Sequence, residues 1–398
     1  MKTHALLRRS ALILGGGVLA AALAFGVGSA ATASPPTNSG TQGLNYVALG
    51  DSYAAGFGLT PPTGTPVPGC FQAAVDYPHQ VATALGLNLT DASCSAAATA
   101  NITGQQVTVS GTAPAQIDSI TSSTNVVTIM IGGNDLGFST ILGACSAATP
   151  SGPLLLHPAL NSCKAYFDAG GVDTLQAAIS GPVTTALSNT FHAVRAKAPN
   201  ATIIVVGYPA LFPDAANTPT TPTGCFTPVV DLSTTPPTPI PNANGFPFTN
   251  ADVPYLYQTQ VSLNTAIQTQ AADIGATFVP LMSQTVANTP CAYNPNEQIN
   301  GLSLTPTGQL AFGAMHPNAV GVTTLTSGVS AAITAAFPDT TPTPTPTPIA
   351  TSTAQAAPAL AESGSDATPA IAVGALALLL GVGSLILVSV RRRATKGH

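Results

Sequence analysis

Three short apolar runs rich in valine and isoleucine stop on glycine. They are Leu44–Leu49 before Gly50, Asn125–Ile131 before Gly132-Gly133, and Ala201–Val206 before Gly207. Runs of this length without polar alternation suit strands buried on both faces, since a half-exposed strand would place every second side chain in water. Ala276–Leu281 is a weaker fourth strand, and Leu87-Asn88-Leu89 starts another short one. Segments with apolar residues at helical spacing lie between these runs: Val75–Leu85, Val172–Ala198, Val253–Ile274 and Asn318–Phe337. In the second of them Leu175, Ile179, Val183, Leu187, Phe191 and Val194 follow a 3.6-residue period. Strand followed by helix, repeated, predicts a parallel sheet covered on both faces. Such a sheet binds ligands beyond the carboxyl ends of its strands. Gly50-Asp51-Ser52 and Gly132-Gly133-Asn134-Asp135 both stand at such ends, and a sheet can set them side by side. The segment from Thr218 to Phe248, rich in Pro, Thr and Asn, reads as a long irregular loop that needs a tether around Cys225.

The two ends of the chain depart from this alternation. Lys2, Arg8 and Arg9 precede an apolar stretch from Ala11 to Val27, and Ala31-Thr32-Ala33 follows with small side chains. This order predicts an export signal over residues 1–33 and a short linker over 34–42. Arg8-Arg9 also raises a folded-export route, which the surrounding residues match poorly. At the other end, residues 338–366 are rich in Thr and Pro. Proline fixes φ and removes backbone donors, so this stretch is an extended spacer. Residues 367–398 contain an uncharged apolar run from Ala370 to Val390, long enough to span a bilayer, closed by Arg391, Arg392, Arg393 and Lys396. Those cations place this end on the cytoplasmic side. Leu360-Ala361-Glu362-Ser363-Gly364, the apolar run and the basic end together resemble a Gram-positive cell-wall sorting signal, which implies sortase processing. Ser363 stands where that signal usually has Thr, and Ala361 where it often has Pro. A permanent membrane anchor is the other reading. Both put the folded domain, residues 43–337, on the outer face.

Composition narrows the function classes. The chain has 398 residues, 45% hydrophobic and only 6% charged, with a net charge of -5, enough apolar residues for a sizeable core. No Lys/Arg cluster occurs in the central region, so the cations that neutralise phosphates are missing and nucleic acid is excluded as a partner. Six cysteines remain beyond the signal: Cys70, Cys94, Cys145, Cys163, Cys225 and Cys291. An even count in an exported protein predicts disulfides, with roughly 15 pairings open on counting alone. No CxxC and no HxxxH is present, so neither a metal site nor a cofactor is expected.

A serine hydroxyl needs a base, a group that orients the base, and donors for the oxyanion before it attacks a carbonyl. Ser52 follows a strand and a glycine, where a turn exposes its hydroxyl at the sheet end; an Asp/Ser helix cap is the plain structural alternative. The GxSxG elbow occurs nowhere, which disfavours the common α/β-hydrolase arrangement. The base is a histidine, given the pKa required. His4 and His398 lie in the two ends, leaving His79, His157, His192 and His316. His316 heads His316-Pro317-Asn318 directly before the last helix, a place that helix-start packing also explains. Asn134 offers an amide donor at a strand end, although turn chemistry alone accounts for an asparagine there.

Gly50-Asp51-Ser52 early, Gly132-Gly133-Asn134-Asp135 in the middle and His316-Pro317-Asn318 before the last helix together resemble the SGNH, or GDSL, hydrolases. The resemblance covers Tyr46 to Phe337 and extends to the secreted, three-disulfide esterase and lipase branch of actinobacteria. It implies a three-layer α/β/α sandwich with a mainly parallel, flavodoxin-like sheet. It implies Ser52 as nucleophile, His316 as general base, and the Ser52 N–H, Ala96 N–H and Asn134 side chain as oxyanion donors. Ala96, in Cys94-Ser95-Ala96-Ala97, stands where the family usually has glycine. Many members carry Asp three residues before the histidine, and here that position is Gly313. The expectation is therefore a Ser52–His316 dyad oriented by the Gly313 carbonyl. The resemblance further implies the pairs Cys70–Cys94, Cys145–Cys163 and Cys225–Cys291. The function expected is hydrolysis of lipid or short-chain acyl esters through an acyl-enzyme, with polysaccharide O-deacetylation on the same site as one alternative. A non-catalytic surface adhesion module is another, and it explains Ser52, Asn134 and His316 less well.

Overall fold

The computed structural model describes residues 40–339, apart from residue 294. The export signal, residues 34–39 of the linker, the Thr/Pro spacer from residue 340 on with its Leu360–Gly364 motif and the apolar C-terminal tail lie outside the described residues.

Five strands form one parallel sheet: β1 (Asn45–Gly50), β2 (Asn88–Asp91), β3 (Val126–Met130), β4 (Thr202–Val206) and β5 (Thr277–Val279). Their order is β2-β1-β3-β4-β5. The strands β1, β3 and β4 form the buried centre, with Val126 to Met130 entirely out of water. Filling such positions with Val, Ile and Leu contributes about 1.5–3 kcal/mol per fully buried side chain. Five main helices cover the sheet: α1 (Tyr77–Leu85), α2 (Phe138–Cys145), α3 (Thr184–Lys197), α4 (Asp252–Asp273) and α5 (Ala319–Ala336). In the two helix layers α1 packs with α5, and α3 with α4. This is the three-layer α/β/α sandwich with a parallel sheet that the alternation predicts.

The strand order decides where a site can form. The chain moves from β1 outward to β2 and then crosses to β3 on the other side of β1. Connections leaving β1 and β3 therefore diverge to opposite faces, and a crevice opens beyond their carboxyl ends. The loops after Gly50 and after Met130 line that crevice.

Local departures from the expected elements have local causes. The predicted helix over 172–198 is broken: a short helix at Thr174–Ala178 passes through a wide π-turn at Ile179–Val183 before α3 begins. Pro182 lies in that turn, where its missing N–H interrupts the regular ladder. Two elements carry no periodic signal, namely α2 and a hairpin pairing Gln106–Thr108 with Gly111–Ala113. The segment from 218 to 248 is irregular apart from a two-residue pairing of Val230-Asp231 with Thr238-Pro239.

The six cysteines form Cys70–Cys94, Cys145–Cys163 and Cys225–Cys291. The first ties the long connection after β1 to the segment after β2 that carries Ala96. The third tethers the irregular segment across 66 residues of chain.

Candidate active site

The end of β1 is built around a glycine. A Cβ at Gly50 would lie 2.6 Å from the Met130 carbonyl and 2.7 Å from the Ala54 Cβ, so no other residue fits without moving β3. The Gln116 side chain clamps the same residue: Gly50 N–H donates to its Oε1 at 2.7 Å, and its Nε2 donates to the Gly50 carbonyl at 2.9 Å. Asp51 N–H extends the sheet by donating to Met130 O. The chain then turns, with Tyr53 N–H donating to Asp51 Oδ1, and Ser52 is left at the mouth of the crevice.

His316 reaches this point from the other end of the domain. Asn318 caps α5 by accepting from the Val320 and Gly321 N–H groups, which fixes the start of the helix two residues after the histidine. Met315 takes a left-handed backbone (φ 57°), and its carbonyl accepts the Tyr53 hydroxyl at 2.7 Å. The Tyr53, Phe57 and Phe138 rings lie 4.7, 5.0 and 5.7 Å from the imidazole between centroids. The result is a hydrogen bond of 2.7 Å between His316 Nε2 and Ser52 Oγ. Burial holds the imidazole down at about 4, only partly offset by the backbone carbonyl on Nδ1, so the ring is neutral and able to accept a proton near pH 7.

That carbonyl belongs to Ala314, not to Gly313. His316 Nδ1 lies 2.8 Å from Ala314 O. The Gly313 carbonyl is committed elsewhere, accepting from the His316 backbone N–H and from Asn300 Nδ2 at 3.1 Å. The turn that sends His316 back toward Ser52 uses Gly313 O as its closing acceptor and leaves the next carbonyl facing the ring. Gly313 has φ 80°, and its Cα would lie 2.4 Å from a Cβ at Gly58. The two loops meet through paired glycines: a Cβ at Gly313 would itself lie 3.0 Å from the Gly58 Cα, on a left-handed backbone that disfavours the aspartate the family resemblance would place there.

Three candidate donors line the cleft with the Ser52 hydroxyl. Among the described residues neither the Ser52 N–H nor the Ala96 N–H has a protein acceptor. Ala96 has φ 65°, a left-handed conformation that glycine adopts more cheaply, and it turns its N–H away from the local hydrogen bonds of its neighbours. Asn134 Nδ2 donates one hydrogen to Ala97 O at 2.9 Å, which ties its loop to the Ala96 segment and leaves the second hydrogen of the amide for another acceptor. Asp135 accepts from the Thr99 N–H and hydroxyl and braces the same junction.

Asp51 is also a brace. Tyr208 donates its hydroxyl to the Asp51 carboxylate and accepts the Gly133 N–H at 2.9 Å, linking the ends of β1, β3 and β4. Burial pushes the Asp51 carboxyl up to about 7 against the opposing effect of the Tyr208 and Tyr53 donors. Sequence reading missed Tyr208 and Gln116. Tyr208 directly follows the β4 run and its glycine, so strand-end position would have found it; Gln116 offers no such signal.

The other histidines among the described residues are elsewhere. His79 pairs with Asp76, His157 stacks on Tyr166, and His192 faces Asp273 on the surface. Two spaces meet at Ser52, Asn134 and Phe138. One is a narrow apolar cavity walled by Leu211, Phe212, Leu256 and Leu263. The other is an open cleft running past His316 and Ala96 to Val107 and Val109. A hydroxyl paired with a neutral imidazole, unpaired N–H donors and an apolar slot beside them suit acyl transfer from an ester.

Comparison with known proteins agrees. The sequence profile of the GDSL-like Lipase/Acylhydrolase family matches residues 48–323. Lipase 2 of Streptomyces coelicolor is 33% identical over 303 residues, covering 75% of this chain and 88% of that protein. An esterase of Streptomyces scabiei is 32% identical over 292 residues, covering 68% and 80%. The crystal structure of phospholipase A1 from Streptomyces albidoflavus NA297 superposes with a TM-score of 0.52 at 23% identity, covering 73% of this chain and 99% of that one.

Proposed function

The chain belongs to the GDSL-like lipase/acylhydrolase family and is a carboxylic ester hydrolase, and from that premise we propose that it is an exported serine esterase acting on apolar acyl esters through a Ser52–His316 dyad. The observation that carries this reading is the 2.7 Å pair of Ser52 Oγ and a neutral His316 Nε2 at the mouth of an apolar cavity. His316 takes the hydroxyl proton as Ser52 Oγ bonds to the ester carbonyl carbon. The Ser52 and Ala96 N–H groups and the Asn134 amide receive the oxyanion. His316 then gives its proton to the departing alcohol, and water releases the acid from the acyl-enzyme by the same relay. The Ala314 carbonyl holds the ring and fixes its tautomer, without the negative charge a carboxylate would add. Export rests on the apolar N-terminal signal pattern and on three disulfides, which persist in oxidising surroundings. Retention at the cell surface, by membrane or by sortase, rests on the apolar run from Ala370 to Val390 and its basic end.

The rim of the cleft favours an apolar acyl group over an acetylated polysaccharide. Val107 and Val109 are 84% and 86% exposed, Phe312 is 54% exposed, and all three border the cleft or its aromatic edge. On p-nitrophenyl esters, kcat/KM rises from acetate to butyrate by roughly tenfold, since each buried CH2 contributes about 0.8 kcal/mol. A maximum at acetate would instead assign the site to deacetylation.

The depressed His316 pKa sets the acid limb. Protonation removes the base, so kcat/KM falls as pH drops through about 4 and stays flat from there to neutrality. The check is a pH–rate profile on a soluble ester, with circular dichroism to confirm the fold at each pH. An inflection near 7 would point to the Asp51–Tyr208 brace as the controlling group.

A further inference from the structure

On the side of the domain where α1 meets β2, two carboxylates and an imidazole converge. Asp76 caps α1, His79 lies in its first turn, and Asp91 ends β2. His79 Nδ1 is 2.7 Å from Asp76 Oδ1 and 3.7 Å from Asp91 Oδ2, and one donor atom from each residue falls within 4.8 Å of the others. The Asp76 side chain is fully buried and that of Asp91 is 3% exposed. Each carboxylate has one satisfied oxygen: Asp76 Oδ1 accepts the His79 N–H, and Asp91 Oδ1 accepts the Ser93 N–H. Each also has a buried Oδ2 with no hydrogen-bond donor. Among the described residues no Lys or Arg reaches either acid. Two adjacent carboxylates out of water are costly unless positive charge or added donors compensate them.

We propose that Asp76, His79 and Asp91 form a structural site for a divalent cation of the zinc type. Mixed imidazole and carboxylate donors suit zinc and its neighbours, whereas calcium and magnesium prefer oxygen-only shells. Insertion of the ion lengthens the 2.7 Å contact of His79 Nδ1 with Asp76 Oδ1 and draws Asp91 Oδ2 in from 3.7 Å, each by roughly half an ångström, to the spacing of two ligands on one metal. It gives both orphaned oxygens a positive partner. His79 is 31% exposed, which provides an entry path and room for water to complete the coordination. A helix cap and a strand end supply the ligands, so no HxxxH or CxxC spacing announces the site.

Its position predicts bracing rather than chemistry. Asp76 follows Cys70 in the connection from β1, and Asp91 precedes Cys94 and Ala96. A Cβ at Gly56, in the turn after Ser52, would lie 2.8 Å from the Asp76 Cβ, so the site also backs the nucleophile loop. A cation there would pin α1 to β2 beneath both loops.

The test is calorimetric titration of the chelator-stripped full chain with zinc chloride, alongside thermal unfolding with and without zinc. One saturable site, a higher Tm with zinc, and at least tenfold weaker binding in both His79→Ala and Asp91→Asn support the proposal. Neither residue touches the cleft, so those variants keep ester hydrolysis, lowered by no more than several-fold through the loosened Ser52 and Ala96 loops. His79→Ala leaves the partly exposed position without a buried cavity, so it remains informative if Asp91→Asn fails to fold. The absence of a saturable site, or equal zinc binding by parent and His79→Ala, overturns the proposal. So does an Asp91→Asn protein that melts higher than the parent while zinc leaves the parent unmoved, because a proton shared between the two acids would then explain the pair.

Discussion

Ser52→Ala lowers kcat for p-nitrophenyl butyrate by about ten-thousand- to a million-fold, and His316→Ala does nearly the same. The two losses do not add. Ser52 Oγ has His316 Nε2 as its hydrogen-bond partner, and without the imidazole the hydroxyl has no base within reach. Without the hydroxyl, the imidazole has no proton to take. The double variant therefore stays within a few-fold of either single one, the behaviour of residues that act as a unit. Both variants keep the fold: Ser52 is small, and the His316 pocket is walled by aromatic rings that hold each other. Unchanged far-UV circular dichroism and Tm distinguish loss of chemistry from loss of structure. An alkylphosphonate that traps the nucleophile supplies a second readout. It adds its mass once to the parent and leaves the Ser52→Ala protein unlabelled. Retained hydrolysis or labelling in Ser52→Ala would remove Ser52 from the mechanism.

The sheet was legible because its signal is physical and dense. Buried parallel strands must be apolar nearly throughout, and Val126 to Met130 and Thr202 to Val206 are, apart from Thr202 at a strand start and Thr128, whose hydroxyl is paired with those of Tyr46 and Tyr77. The glycines that stop these runs mark the places where the chain leaves the sheet. Ser52 and Asn134 were legible as strand-end residues, and the strand order then sets their ends side by side at the crevice. His316 was recognisable only through Pro317-Asn318 and the helix behind them.

What the sequence did not show is the detail that depends on backbone direction. A carbonyl has no residue signature, so whether Gly313 or Ala314 orients His316 is decided by how the turn closes. The turn takes Gly313 O for itself, and the ring finds the next carbonyl. Gln116 and Tyr208 act across long separations, 66 residues from Gly50 and 157 from Asp51. Tyr208 has its strand-end position to mark it, whereas no local pattern reports Gln116. Asp76, His79 and Asp91 are likewise ordinary helix-cap and strand-end residues until the fold brings them together. The absence of familiar metal spacing said nothing about such an arrangement.

Asn134→Ala lowers kcat by about a hundred- to a thousand-fold with little change in KM, because an oxyanion donor works mainly in the transition state. The amide has two tasks here. One Nδ2 hydrogen holds the Ala97 carbonyl at 2.9 Å, and that bond keeps the Ala96 loop beside the serine. The other is available to the oxyanion. Truncation therefore removes one donor outright and loosens the loop that carries a second. Asn134→Asp separates electrostatics from anchoring. Its carboxylate cannot donate to Ala97 O and sets negative charge beside the developing oxyanion, so it falls further than Asn134→Ala, by about another tenfold. Asn134→Gln keeps the donor on a longer arm and recovers part of the loss. The ordering Asn134, then Gln, then Ala, then Asp in kcat is the expected result, measured on one soluble ester at fixed pH. An Asp variant as active as the Ala variant would show that no negative charge develops near this side chain. The assignment of Asn134 would then reduce to anchoring the Ala96 loop, with the oxyanion left to the two backbone N–H groups.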